Sequence, residues 1–214
     1  MRISIILLLC LQLINLSGLS FKPRVNSEDP KSSNLNQVFE ELEDEAKLAN
    51  YFMNVNQRRI CQQLQDEERS HYIARFWQSY DPNPITGKNE FLEQIQLRIQ
   101  YADTGLRGAR LGWKSDMGRI HVKYGEPYEI LSGEISGGNE IDSAEYNKYK
   151  GHEYQIWKYR LESGQDETFI FLELQTFGDK RLIYSESDSE VSFANWREYF
   201  GSMDINKLIG GFYE

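Results

Sequence analysis

Cysteine is nearly absent from the 214-residue chain: only Cys10 and Cys61 occur. Cys10 falls in an amino-terminal segment that reads as removable, so Cys61 is left alone, no intramolecular disulfide is expected, and stability must come from packing. Cys61 follows Ile60 in a helical pattern, where a small buried hydrophobe is the expected role. Histidine is equally scarce. His71, His121 and His152 lie far apart with no ligand type at close spacing, which excludes the usual metal-site patterns. Positive charge is in deficit, with 24 Lys and Arg against 33 Asp and Glu and a net charge of -9. A non-specific electrostatic grip on nucleic acid or anionic lipid is therefore not expected. No glycine-rich phosphate loop is present, because residues 133–138 lack the Lys-Ser/Thr that would follow one. Neither Ser115 nor Cys61 sits in a nucleophile signature.

Long apolar runs are also missing, apart from the one at the start. Arg2 precedes an apolar run from Ile3 to Leu16, followed by the small residues Ser17, Gly18 and Ser20. These are the three regions of a secretory signal peptide, residues 1–20. Gln12 and Asn15 interrupt the run, which falls short of the roughly 20 apolar residues that span a bilayer. Leu7-Leu8-Leu9-Cys10 resembles a lipoprotein box, but Leu9 is bulky where a small residue is required, so lipid anchoring at Cys10 is not expected. Cleavage near Ser20 would release an acidic mature chain without a transmembrane helix, exported to the periplasm or associated with the outer membrane. The mean hydropathy of -0.62 with 13% aromatic residues describes a wet surface over an aromatic-rich interior.

Residues 21–36 hold Pro23, Pro30 and several Ser, Asn and Asp residues with little to bury, and read as a disordered tether. The domain proper spans residues 37–185, with a helical tail over 186–214. Apolar residues at Val38, Leu42, Ala46, Ala49, Phe52 and Met53 predict a first helix, whose acidic run over residues 40–45 is its solvated face. Ile60, Leu64, Ile73, Phe76, Trp77 and Tyr80 predict a second, ended by Asp81-Pro82. Leu92, Ile95, Ile99, Ala102 and Leu106 predict a third, capped by Thr86. After Gly118 the period becomes two. Ile120, Val122 and Tyr124 alternate with Arg119, His121 and Lys123, which predicts a strand. Residues 133–151 read as a long mobile loop, and three further strands are predicted at 153–160, 168–174 and 180–184. Phe193, Trp196, Tyr199, Phe200, Ile205 and Leu208 predict a short helix that lies on the sheet. Helices followed by strands give an α+β class: amino-terminal helices, an antiparallel meander of about four strands, and a short carboxy-terminal helix.

Gly112-Trp113-Lys114-Ser115-Asp116-Met117-Gly118-Arg119-Ile120, followed by Tyr124-Gly125-Glu126-Pro127, resembles the namesake segment of the GWxTD domain family of bacterial envelope proteins, chiefly from Bacteroidetes-like lineages. Phe76-Trp77, Asp81-Pro82-Asn83-Pro84, Thr86, Asn89-Glu90 and Arg98 match its upstream elements in order, and Trp157-Lys158-Tyr159 matches its Trp-x-Tyr strand. The resemblance runs from about Ile60 to Tyr184. Ser115 replaces the family's Thr and keeps the hydroxyl. Met117 and Tyr80 stand where Arg is usual, which removes two cations an anion would need. The resemblance implies a bacterial-envelope address and no established activity. A looser similarity, to small outer-membrane assembly lipoproteins, rests on a Gly-x-Pro turn before a Trp-x-Tyr strand.

The polar residues of the matching segments form the candidate site: Asp81, Asn89, Glu90, Arg98, Asp116 and Arg119, with Trp113 beside them. Their convergence at the junction of helices and sheet would make a cleft. The expected function is a non-catalytic binding or assembly protein of the envelope, with a protein or glycan as partner and no cofactor. The alternative is a glycan-acting hydrolase in which Glu90 and Asp116 serve as acid and base and Trp113 stacks on a sugar.

Overall fold

The computed structural model describes residues 42–106, 112–136, 148–161, 163–174 and 179–210. The expected signal peptide, the tether and residues 137–147 of the expected loop lie outside these. Three helices come first: α1 (Leu42–Phe52), α2 (Val55–Gln63) and α3 (Asp66–Gln78). The second predicted helix is thus two. Its apolar spacing continues across the break, but Leu64 is extended and the Gln65 backbone N–H donates to the Glu68 carboxylate, which starts a new helix. Asn54 and Gln57 close a reciprocal capping box at the head of α2, each side chain accepting from the other's backbone N–H at 2.9 Å.

The third predicted stripe becomes α4 (Glu90–Gly105), with Leu92, Ile95, Ile99 and Ala102 buried. Its cap is Asn89 rather than Thr86. The Asn89 side-chain oxygen accepts from the Leu92 N–H at 3.2 Å, while its amide donates to the Trp77 carbonyl at 2.9 Å. A 3-10 turn at Gly112–Lys114 leads into α5 (Asp116–Tyr124). Here the expected strand is corrected to a helix. Ser115 caps it by accepting from the Gly118 N–H at 3.0 Å. The period of two arises because α5 lies between two cores. Val122 packs with α1, α3 and α4, Ile120 packs on the sheet, and both are 0% exposed.

The sheet follows as a meander in the order β1 (Glu129–Glu134), β2 (Glu153–Arg160), β3 (Asp166–Glu173) and β4 (Lys180–Ser185), all antiparallel. The first strand is one the sequence does not suggest, because Ser132, Gly133 and Glu134 are poor strand formers; pairing with β2 overrides them. Trp157, Tyr159, Phe169, Phe171 and Leu182 face α5. Tyr154, Ile156, Ile170, Leu172 and Ile183 face the other way, under the tail residues Trp196, Phe200 and Ile205. The tail forms a 3-10 turn (Trp196–Phe200) and α6 (Ile205–Gly210), and lies on the sheet as the sequence predicts. The class is α+β.

The Gly112–Gly118 stretch joins α4 to α5 by close backbone contact. A β-carbon on Gly112 would overlap the Ala102 carbonyl, and one on Gly118 would overlap the Gly112 carbonyl. Gly118→Ala is therefore expected to cost about 3 kcal/mol. Trp113→Ala, which empties a site only 3% exposed, is expected to cost about 3 to 5 kcal/mol. Urea unfolding monitored by tryptophan fluorescence and circular dichroism measures both; a midpoint equal to that of the parent chain would contradict the packing described.

Candidate functional site

The seven candidate residues fall in three places. Asp81, Asn89 and Glu90 belong to the turn between α3 and α4. Asp81 accepts from the Asn83 N–H at 3.0 Å. The Thr86 hydroxyl lies 2.6 Å from Glu90 Oε1 and 2.9 Å from the Asn83 and Lys88 carbonyls, so one hydroxyl ties the turn to the first residue of α4. Glu90 Oε2 is buried without a hydrogen-bond partner among the described residues. This turn is a closed polar knot.

Arg98 stands apart, as a strut between helices. Its guanidinium donates to the carbonyls of Val122 and Lys123 at 3.1 and 3.3 Å, at the carboxy-terminal end of α5, where a cation is favoured by the helix dipole. Gly125 follows at φ 84°, with the Arg98 guanidinium against its α-carbon, and Tyr159 donates to the Gly125 carbonyl at 3.0 Å. Burial holds the Arg98 pKa below its ordinary value. Arg98 thus fixes the exit of α5 toward the sheet.

Asp116 and Arg119 do meet at the junction of helices and sheet. There they line a cleft of about 460 Å³ together with Asn50 and Tyr51 of α1, Arg58 of α2, Arg181 and Leu182 of β4, and the segment Ser189–Phe193. Asp116 Oδ2 accepts from Arg181 Nε at 2.7 Å and from the Leu182 backbone N–H at 3.1 Å, so the carboxylate covers the free edge of β4. Its other oxygen faces Arg119 at 3.8 Å. Arg119 also pairs with Glu190, whose side chain is only 6% exposed and which receives Lys123 as well, at 2.8 Å. Trp113 lies below as a core residue, edge-on to Tyr51 at 6.1 Å, and the Tyr51 hydroxyl donates to the Trp113 carbonyl at 3.4 Å. Burial pushes the Tyr51 phenol up to about 12, so it is a neutral donor at physiological pH.

Glu90 and Asp116 bond to different partners on different elements, and Glu90 does not line the cleft. Acid–base work on one substrate needs both in one groove. Among the described residues no cluster of metal-ligating side chains occurs, and no helix is long and apolar enough to cross a membrane. Cys61 is 2% exposed, and burial raises its thiol pKa away from reactivity. Sequence reading missed Asn50, Tyr51, Arg58, Arg181 and Glu190. Arg181 and Glu190 meet residues on α5 from 65 and 71 positions away, a separation that leaves no local signature.

No protein-family model, curated protein or solved structure matches the chain.

His121 gives this region a pH dependence. It is 6% exposed, with its ring 4.5 Å from that of Tyr101. Burial first, and the Arg98 charge second, hold its pKa below the ordinary 6.5, with Glu126 opposing. The unfolded chain therefore takes up this proton at a higher pH than the folded one. Stability is complete above about 6.5 and falls as the pH drops below it. His121→Gln is expected to flatten the acid side of a plot of urea midpoint against pH; an unchanged slope would contradict the assignment.

Proposed function

We propose that the chain is a non-catalytic binding or assembly protein of the bacterial cell envelope, which holds a protein or glycan partner in the cleft between its helices and its sheet. The observation that carries this reading is the use made of Asp116. The acid of the Gly-Trp-Lys-Ser-Asp stretch is committed to a backbone N–H of β4 and to two arginines, a structural role that leaves no free carboxylate for proton transfer there. The cleft beside it keeps exposed groups of both kinds: Arg181, with 49% of its side chain accessible, and Val191 and Phe193 at 87% and 42%. Exposed apolar residues beside charged ones suit recognition.

The address rests on two further features. Residues 1–20 have the layout of a secretory signal. The ordered match from about Ile60 to Tyr184 resembles the GWxTD family, whose members belong to the envelope. Together they support an extracytoplasmic location, periplasmic or outer-membrane associated.

The test is site-specific photocrosslinking in intact cells of the producing bacterium. A photoreactive residue at Phe193, on the cleft, is expected to capture a discrete partner about tenfold more efficiently than the same residue at Ile85, which is 95% exposed on the α3–α4 turn. Equal capture from both positions, or none from Phe193, would refute binding at the cleft.

A further inference from the structure

The cleft holds an unbalanced charge. Arg58, Arg119 and Arg181 line it against Asp116 and Glu190, and Lys123 adds a fourth cation on Glu190. A local excess of cations in a chain of net charge -9 is not a product of composition. The three arginines are not equivalent. Arg119 is engaged by both carboxylates. Arg181 gives its Nε to Asp116, and about half of its side chain remains accessible. The Arg58 guanidinium, half-buried on α2, has no side-chain partner among the described residues. A half-buried guanidinium without a counter-ion is a standing site for an anion, most of all a planar carboxylate that it can meet with two parallel N–H donors.

Two other features narrow the ligand. Asn50 lines the same cleft, and its side-chain oxygen is buried with no hydrogen-bond partner among the described residues. Rotation about the terminal torsion of the side chain turns that oxygen out toward a ligand that offers an N–H. Leu182, Val191 and Phe193 make the apolar part of the wall. An anion, a donor and an apolar group within one cleft of about 460 Å³ are what the last residue of a polypeptide presents: its α-carboxylate, its backbone N–H and its side chain. An acidic sugar would supply the first two, but it would want a broad aromatic face to stack on. Two aromatic residues line the cleft, but each ring is already engaged, Tyr51 at 62° to Trp113 and Phe193 edge-on to Tyr199 at 88°.

We propose that the cleft binds the free carboxy-terminus of a partner polypeptide ending in an aliphatic or aromatic residue. Arg58 and Arg181 take the carboxylate, Asn50 takes the backbone N–H, and Leu182, Val191 and Phe193 cover the terminal side chain. This rests on the binding function proposed above and adds to it the chemistry of the partner.

Fluorescence anisotropy on the purified secreted chain tests it. The probes are two pools of fluorescein-labelled hexapeptides, Gly-Ser-Gly-X-X-Z with Z as Val, Leu or Phe, one with a free carboxylate and one amidated. The free-acid pool is expected to bind about tenfold tighter or more, and more weakly as salt rises. Arg58→Gln is expected to abolish that difference with an unchanged melting temperature, and Arg181→Gln to reduce it. Equal binding of the two pools, binding of neither, or full retention of the preference by Arg58→Gln would overturn the proposal. So would oligogalacturonate binding that depends on Arg58 while the peptides fail, since that would assign the cleft to an acidic glycan. If Phe193 still crosslinks a discrete partner when the peptide pools fail, the carboxy-terminus inference falls and the binding function stands; if Phe193 captures nothing, both fall.

Discussion

The contact on which the rest of this structure depends is the backbone-to-backbone approach at Gly112 and Gly118. Gly112 lies against the Ala102 carbonyl at the end of α4, and Gly118 lies against the Gly112 carbonyl at the start of α5, so neither position admits a β-carbon. With no side chain between them, the Ser115 hydroxyl reaches both ways, donating to the Gly112 carbonyl at 2.6 Å and accepting from the Gly118 N–H at 3.0 Å. That pair starts α5 in one direction only. The same turn carries Trp113 into the helical core and brings Asp116 to the first turn of α5, where it meets the edge of the sheet. The end of α4, the 3-10 turn and the start of α5 are thus held in register by a few peptide groups, and α5 so placed packs Ile120 on the sheet.

The sheet places its own demand on this junction. An uncovered edge strand is a template for unwanted pairing, and β4 is covered at several points. Asp116 takes the Leu182 N–H, the Phe193 N–H donates to the Ile183 carbonyl at 2.9 Å, and the Ser192 hydroxyl both accepts from the Ser185 N–H and donates to its carbonyl. The segment that supplies Ser192 and Phe193 also supplies Glu190, which draws Arg119 and Lys123 toward it. The cleft is what remains between α1, α2, α5 and this covering segment. Its ion pairs therefore hold the walls in place from both sides.

Much of the frame is legible in the sequence where the local pattern matches the burial an element receives. The stripe of α4 reflects one buried face, and β2, β3 and β4, covered on both faces by α5 and the tail, read as short apolar and aromatic runs between turns. Legibility fails where a short helix is buried on opposite sides or a strand depends on its partner. Ile120 and Val122 belong to different cores on opposite sides of α5, which imitates the alternation of a strand. The Ser132-Gly133-Glu134 end of β1 is a strand only because β2 is there to pair with it, and Gly133 is tolerated because a β-carbon would strike the Tyr154 ring. The site divides along the same line. Asn89 takes the cap that the sequence reading gives to Thr86, and Trp113, expected beside the polar cluster, is core. Asp116 and Arg119 are visible as members of a motif, but their partners Arg181 and Glu190 come from the far end of the chain and depend on the meander folding back.

That division separates the residues that build the frame from those that the proposed binding function would use. The residues that make the Gly112–Arg119 stretch recognisable are occupied: the glycines by backbone, Trp113 by the core, Ser115 by the helix cap, Asp116 by the β4 edge and Arg119 by Glu190. The groups left with capacity to bind, Arg58, the outer face of Arg181, Val191 and Phe193, lie outside that stretch on elements it merely positions. A substitution in the stretch acts on the cleft through the geometry of α5 and β4, by moving the walls. A substitution among the outer groups changes what the walls present while the walls stay in place. On the binding function proposed, folding and recognition would draw on largely separate sets of side chains, overlapping at Asp116, Arg119 and Leu182, which belong to the frame and bound the cleft at once.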